Sequence, residues 1–147
     1  MQGIRREKKI MTEQGFKSLI VWQKAKALAV EIYRLTKSKS IEHDFSLIDQ
    51  MRRSAVSVPC NIAEGDERKS NKDSVRFFHI AKGSQAELAT QLEIGRDVRN
   101  FTAVQVEPPP GQCTELGKMQ GALVRARSNS TPHAASLAPI APRPMPK

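Results

Sequence analysis

Apolar residues recur at helical spacing in three long segments of the chain, at about residues 18–37, 45–63 and 70–98. Each segment has one apolar side and one polar side, so each is expected to form a helix that packs against the others. Ser18 and Ser70 stand where the first and third helices begin, and both are expected to act as N-caps. Gly83 interrupts the third helix and is interpreted as a point where another helix approaches closely.

The second segment contains residues 57–65, with the sequence SVPCNIAEG, which places a proline inside a helical pattern. Pro59 removes one backbone donor and crowds the preceding turn, so a kink is expected there. Gly65 is expected to end the helix as a left-handed cap. Asn61 and Glu64 lie about one turn apart, and we interpret them as structural residues that tie off this helix end by hydrogen bonds.

The last third of the chain is less regular. A capping pattern at Thr102 suggests that a fourth helix begins there, but the prolines and glycine at residues 108–111 oppose its continuation. Helical spacing resumes at about Cys113 and ends near Arg127. We therefore expect an interrupted fourth helix, and we expect helix-forming residues in place of Pro108, Pro109 and Pro110 to raise the melting temperature.

Short connections and the absence of any strand pattern predict an all-α, antiparallel, up-down-up-down four-helix bundle over residues 16–127. A basic arm at residues 1–15 and a proline-rich tail at residues 128–147 are expected to be disordered. Met11 lies just before the first periodic segment, which leaves Met1 and Met11 as alternative starts.

The 147 residues carry a formal net charge of +9, most of it in the first 40 residues. Such a charge attracts nucleic acid or acidic surfaces, and solubility is the simpler explanation. Cys60 and Cys113 form no metal or disulfide motif, which fits a reducing cytoplasm. No signal peptide and no apolar run of membrane-spanning length are evident, so a cytoplasmic location without a membrane partner is expected.

Three runs of sequence carry a family resemblance. They lie at residues 16–25 (FKSLIVWQKA), 50–65 (QMRRSAVSVPCNIAEG) and 77–92 (FFHIAKGSQAELATQL). In this order they resemble the bacterial four helix bundle proteins, also called the 23S rRNA-intervening sequence protein family. The likeness covers about residues 16–98 continuously and resumes at residues 115–119 (ELGKM).

The resemblance implies a compact antiparallel bundle that assembles into a ring-shaped homopentamer. It also implies that the family is named for its gene location, inside spacers of the large ribosomal RNA gene. A related bundle is an accessory subunit of a retroelement reverse transcriptase and binds nucleic acid. The chain departs from the family at residues 107–111, where the family has a continuous, acidic fourth helix, and in the proline-rich tail.

Four cations cluster around the start of the third helix. Cations there oppose the helix dipole, and a bound phosphate would reverse this effect because the helix N-terminus offers free N–H groups. The simpler alternative is a solvated basic loop that nearby carboxylates partly neutralise. The four cations are Arg68, Lys69, Lys72 and Arg76.

Four further basic residues are candidates for contact with nucleic acid. Arg52 and Arg53 are adjacent and point about 100° apart, so one is expected to pair with an acidic residue such as Asp49. The other could face a neighbouring subunit or RNA. Lys24 and Lys26 lie on the polar side of the first helix and would extend a basic surface.

The sequence offers no arrangement of residues that would support catalysis. Its three histidines are isolated, Cys60 has no evident base, and no glycine-rich phosphate-binding motif is present. We therefore expect no enzyme activity, no cofactor and no metal. The first hypothesis is a homo-oligomeric assembly that binds RNA or DNA independently of sequence. The alternative is a protein-interaction scaffold or accessory subunit without direct nucleic-acid binding.

Overall fold

The computed structural model describes residues 15–102 and 108–129, which form four α-helices and no strand. Residues 1–14 of the expected arm, residues 130–147 of the expected tail and the segment 103–107 lie outside these residues, whereas Gly15 belongs to a 3-10 turn and residues 128 and 129 belong to the last helix. The all-α bundle is confirmed. A 3-10 turn, Gly15–Ser18, precedes helices α1 (Ile20–Leu35), α2 (Phe45–Glu67), α3 (Asn71–Asp97) and α4 (Pro108–Asn129).

The helices surround one core, and each packs chiefly against two neighbours. α1 and α3 each contact α2 and α4, and chain-adjacent helices run antiparallel. The inward stripes supply aliphatic side chains, and each large one that is fully buried contributes about 1.5–3 kcal/mol. The largest fully buried apolar side chains include Phe78, Leu28, Ile32, Met51, Ile62, Leu88 and Leu92.

Helix α2 runs through Pro59 and continues to Glu67, four residues beyond the predicted end. Pro59 is an interior residue of this helix, and it is buried. Gly65 is helical, and Gly15 is the glycine with a positive φ among the described residues. The prediction of a left-handed cap at Gly65 is therefore wrong. α2 instead ends at Arg68, whose backbone is extended.

Gly65 is required by the packing of α2 against α3. A Cβ atom placed on it would lie 2.7 Å from Cδ1 and 3.1 Å from Cζ of the fully buried Phe78 ring. Glycine therefore lets the Phe78 ring lie directly against the α2 backbone. Gly83 is different, because a Cβ there would meet nothing within 4 Å. Its interpretation as a close helix approach is wrong.

The two predicted serine caps have different outcomes. The Ser70 hydroxyl accepts a hydrogen bond from the Asp73 N–H at 3.1 Å, which confirms it as the N-cap of α3. Ser18 does not cap α1, because its hydroxyl donates to the Gly15 carbonyl at 2.9 Å within the 3-10 turn. Leu19 takes the N-cap position without a side-chain bond.

The proline cluster occupies the first turn of α4, since the helix begins at Pro108 and not near Cys113. The N–H groups of a first helical turn have no partners inside the helix, so prolines there remove no helical hydrogen bond. Within the described residues, α4 is continuous from these prolines to Asn129. The described part of α4 therefore has no break in its middle, and the prolines that were expected to cause one lie at its start.

Gly65→Ala and Gly83→Ala form a matched pair that tests the packing of α2 on α3. Alanine favours a helix over glycine by up to about 1 kcal/mol, so Gly83→Ala should stabilise the protein. Gly65→Ala should destabilise it by about 1–3 kcal/mol, because the new methyl group overlaps the Phe78 ring. Urea unfolding of both variants measures the two shifts. Equal shifts for both would contradict the close approach.

The position of Pro108, Pro109 and Pro110 in the first turn of α4 reverses the effect expected from the sequence: alanine at all three positions should lower the melting temperature slightly. A proline at a compatible position stabilises by about 0.4–1 kcal/mol because it restricts the unfolded chain, and no helical hydrogen bond is regained in the first turn. Thermal unfolding followed by circular dichroism measures the change. A clear rise in melting temperature would show that the prolines interrupt a longer helix.

Candidate nucleic-acid interface

The corner between α2 and α3 holds two arginines on one aromatic ring. The Arg68 guanidinium lies 4.5 Å from the centre of the Phe77 ring, and that of Arg76 lies 4.9 Å from the same centre. Arg68 also donates to a Glu64 carboxylate oxygen at 3.2 Å. These cation–π and ionic contacts fix both guanidinium groups close together at the start of α3.

Lys69 and Lys72 complete this corner. Both are exposed, and neither forms an ion pair with another described residue. They line a shallow groove together with Val75 and with Arg127 from the end of α4. Arg127 donates to Asp66 at 2.7 Å and so joins the end of α4 to the end of α2. The four cations predicted around the start of α3 therefore lie in one region.

The other four predicted cations lie elsewhere. Arg52 donates from Nε to the Thr36 hydroxyl at 2.9 Å, and its guanidinium lies 4.6 Å from the centre of the Tyr33 ring. Arg53 is 3.9 Å from Asp49, the pairing that the sequence suggested for one of the two arginines. Neighbouring side chains thus hold Arg52 in the seam between α1 and α2.

Lys24 and Lys26 on α1 are also engaged. Lys24 pairs with Glu115 across the groove between α1 and α4. Lys26 Nζ lies 5.5 Å from the centre of the Trp22 ring, and that ring packs edge-on against Phe16. Neither lysine extends the cluster at the start of α3.

Three further cations, which the sequence did not single out, lie on α3 and α4. Lys82 lines the groove between these helices opposite Gly117. Lys118 and Arg125 are exposed and seven residues apart, a spacing that puts both on the outward side of α4. None of the three pairs with a carboxylate in the described part of the chain. A helical projection could have found Lys118 and Arg125, but only the structure shows which helix faces solvent beside α3. We call the set Lys69, Lys72, Lys82, Lys118 and Arg125 the basic face.

The opposite side of the bundle carries exposed apolar groups. Val30, Tyr33 and Val56 are 42%, 40% and 39% exposed and lie on α1 and α2. We call these three residues the apolar face. Arg52 bridges the two helices here through its contact with Tyr33. Exposed apolar residues also occur on α3, where Ile80 and Ile94 are 44% and 48% exposed, so the apolar face is one patch of the exposed apolar surface.

The residues of the proline-containing run have structural contacts. Asn61 donates to the Ser57 carbonyl at 2.8 Å and to its hydroxyl at 3.0 Å. The Ser57 hydroxyl is 2.8 Å from that of Ser84, which links α2 to α3. Glu64 holds Arg68, and Gly65 receives the Phe78 ring. Asn61 thus lies inside α2 and does not tie off its end, whereas Glu64 contacts Arg68, the residue at which α2 ends.

The cysteines differ in exposure. Cys60 is exposed and Cys113 is buried, and burial raises the pKa of the Cys113 thiol to about 11. Cys113 is therefore protonated at neutral pH and is a poor nucleophile. The described residues contain no group of three or more histidine, cysteine or acidic side chains that could hold a metal ion. Among these residues, no helix is long and apolar enough to span a membrane.

The antiparallel arrangement defines a four-helix bundle, and comparison with known proteins places this bundle in a family. Residues 17–122 match the family described as 23S rRNA-intervening sequence protein, and the chain belongs to that family. It is also similar to the crystal structure of a protein of unknown function from the S23 ribosomal protein family of Bacteroides thetaiotaomicron. The two chains are 25% identical with a TM-score of 0.67, and the match covers 72% of this chain and 99% of the other. No curated protein matches the chain.

Proposed function

We propose that this protein is a non-enzymatic, homo-oligomeric bundle that binds nucleic acid, RNA in the first place, independently of sequence. The basic face carries this proposal, because its five cations are exposed and form no ion pair with any described residue. The structural neighbour is described as a member of a ribosomal protein family, which favours RNA over DNA.

Unpaired cations are better suited to phosphate contact than paired ones. A lysine in an ion pair must leave its carboxylate before it can neutralise a phosphate, whereas a free lysine loses only water and counterions. Each phosphate neutralised releases condensed counterions, so affinity should fall steeply with salt. Glu93 is a carboxylate that lines the same groove as Lys82. It lies toward the end of α3, away from the cluster at the start of that helix.

Self-association is proposed to use the apolar face. Single exposed apolar residues are ordinary on a protein surface, but Tyr33 and Val56 lie on adjacent helices with Arg52 against the Tyr33 ring. Burial of such a patch between copies would leave the basic face free on α3 and α4. Several copies could then add their phosphate contacts, as in the ring that the family resemblance implies.

The proposal assigns no catalytic role to either cysteine. The raised pKa of Cys113 and its burial support this assignment. The alternative function is a protein-interaction scaffold or accessory subunit, which the apolar face would also serve. That alternative is favoured if the protein binds no nucleic acid and still co-purifies with a partner protein after nuclease treatment. Substitution of Val56 should then abolish the co-purification.

Binding of a fluorescent RNA hairpin should weaken strongly as salt increases. Four to five phosphate contacts imply a loss of about 10²-fold in affinity between about 50 and 200 mM salt. Lys69→Gln with Lys72→Gln should weaken binding and reduce the salt slope by about 2. Fluorescence anisotropy measures both effects.

Lys37→Gln with Lys39→Gln is the matched control for this experiment. It removes the same charge from an exposed segment between α1 and α2, and it should change binding less. An affinity that is absent or insensitive to salt would refute nucleic-acid binding through the basic face.

Val56→Asp should reduce the oligomeric state measured by light scattering after size-exclusion chromatography. A carboxylate in the middle of the apolar face cannot be buried between copies without a large desolvation cost. Because Val56 is 39% exposed in the single chain, the fold should persist. Ile94→Asp on α3, at a position that is 48% exposed, is the control and should leave the mass unchanged. An unchanged mass for Val56→Asp would exclude this face as the contact between copies.

A further inference from the structure

The cations of the basic face form two rows on adjacent helices. On α3, Lys72 and Lys82 are ten residues apart, which corresponds to about 15 Å along the helix axis. On α4, Lys118 and Arg125 are seven residues apart, or about 10 Å. Lys72 and Lys82 are about 80° apart around the α3 axis, and Lys118 and Arg125 are about 20° apart around that of α4. Axes of packed helices are separated by about 8–10 Å, so the two rows lie side by side.

Small and polar residues line the groove between these rows. Ala86, Ala89, Thr114 and Gly117 line it together with Lys82, Gln85, Glu93 and Cys113, and its one carboxylate, Glu93, lies toward the end of α3. A Cβ added at Gly117 would lie 3.1 Å from Nε2 of Gln85, which shows how closely α4 approaches α3 here. Apart from Glu93, the described lining of the groove carries no negative charge that would oppose a phosphate backbone.

Aromatic rings do not line this groove. Phe77 carries Arg68 and Arg76 on its ring at the α2–α3 corner, while Trp22 and Tyr33 lie on α1. Proteins that bind single strands stack successive bases on exposed aromatic rings, and such stacking is worth about 1–3 kcal/mol per base. The described lining of the α3–α4 groove includes Lys82 and no aromatic ring on which bases could stack, which favours a ligand whose bases are already stacked internally.

The width of the basic face can be compared with the grooves of double-helical DNA and RNA. Rows about 8–10 Å apart are too broad to enter the minor groove of B-form DNA, which is about 6 Å wide. The major groove of DNA admits one helix, whereas this face presents two adjacent helices at similar height. Double-stranded RNA has a wide, shallow minor groove that proteins recognise through phosphates, hydroxyl groups and shape.

We propose that the basic face binds double-helical RNA across its minor groove, with the two rows of cations on the phosphates of opposite strands. This inference rests on the proposed nucleic-acid function and specifies its ligand. The contacts are to the backbone, so the base sequence of the duplex has little influence. A single strand of the same RNA lacks the fixed spacing between two phosphate tracks and binds more weakly.

The test compares three ligands of equal length and the same sequence with the full-length protein at one salt concentration. Duplex RNA should bind about tenfold or more tightly than single-stranded RNA, and more tightly than duplex DNA. Single-stranded RNA that binds equally well overturns this inference and leaves the proposed function intact. Equal binding of duplex DNA overturns the assignment to RNA. No binding to any of the three overturns the proposed function as well.

Lys82→Gln with Lys118→Gln places the contact on the α3–α4 face, because it removes one cation from each row. It should weaken duplex RNA binding about tenfold or more and reduce the salt slope by about 2. Lys37→Gln with Lys39→Gln is again the control of equal charge and should keep most of the affinity. Circular dichroism verifies that both variants fold. Equal losses in the two variants would mean that net charge and not this face determines binding.

Discussion

The contact of the Phe78 ring with the α2 backbone at Gly65 is the constraint on which much of the structure depends. No side chain fits between the ring and the helix, so the separation of α2 and α3 is determined at this point. The short connection from Arg68 to Ser70 follows directly, and Ser70 caps α3 as soon as the chain reverses. The position of Arg68, Lys69, Lys72 and Arg76 at the corner between α2 and α3 is thus a consequence of core packing a few residues away.

The bundle separates two kinds of surface. On α1 and α2, most cations are engaged: Lys26 lies near Trp22, Arg52 contacts Tyr33, and Arg53 lies near Asp49. On α3, on α4 and in the connection before α3, the five cations of the basic face form no ion pair with a described residue. This division explains how one small domain could contact its own copies on one side and a polyanion on the other. The two functions would not compete for the same residues.

The sequence was sufficient to predict the helices, their order and the family, because apolar spacing and the cap at Ser70 are local signals. It failed where the outcome depends on neighbours. A glycine at position 65, at the end of a helical pattern, is typical of a C-terminal cap. Its role is instead determined by the Phe78 ring, 13 residues later in the chain. Prolines 108–110 are compatible with a helix only at its first turn, and spacing alone did not fix where that turn begins. The cluster of cations around the start of α3 was predicted because its members are close together in the sequence. Lys82, Lys118 and Arg125 could be connected with it only once α3 and α4 were known to pack together.

The unpaired charges of the basic face also bear on how the protein responds to its solvent. Like charges about 10–15 Å apart are largely screened in physiological salt, where the Debye length is about 8 Å, but not at about 0.01 M, where it is about 30 Å. Their mutual repulsion should therefore make the free protein less stable in dilute buffer than in moderate salt. Added salt thus stabilises the free protein while it weakens the attraction for a polyanion. A surface of this kind therefore makes the unbound protein less stable than a surface with paired charges would. A bound polyanion would relieve the repulsion because it supplies the missing counter-charge.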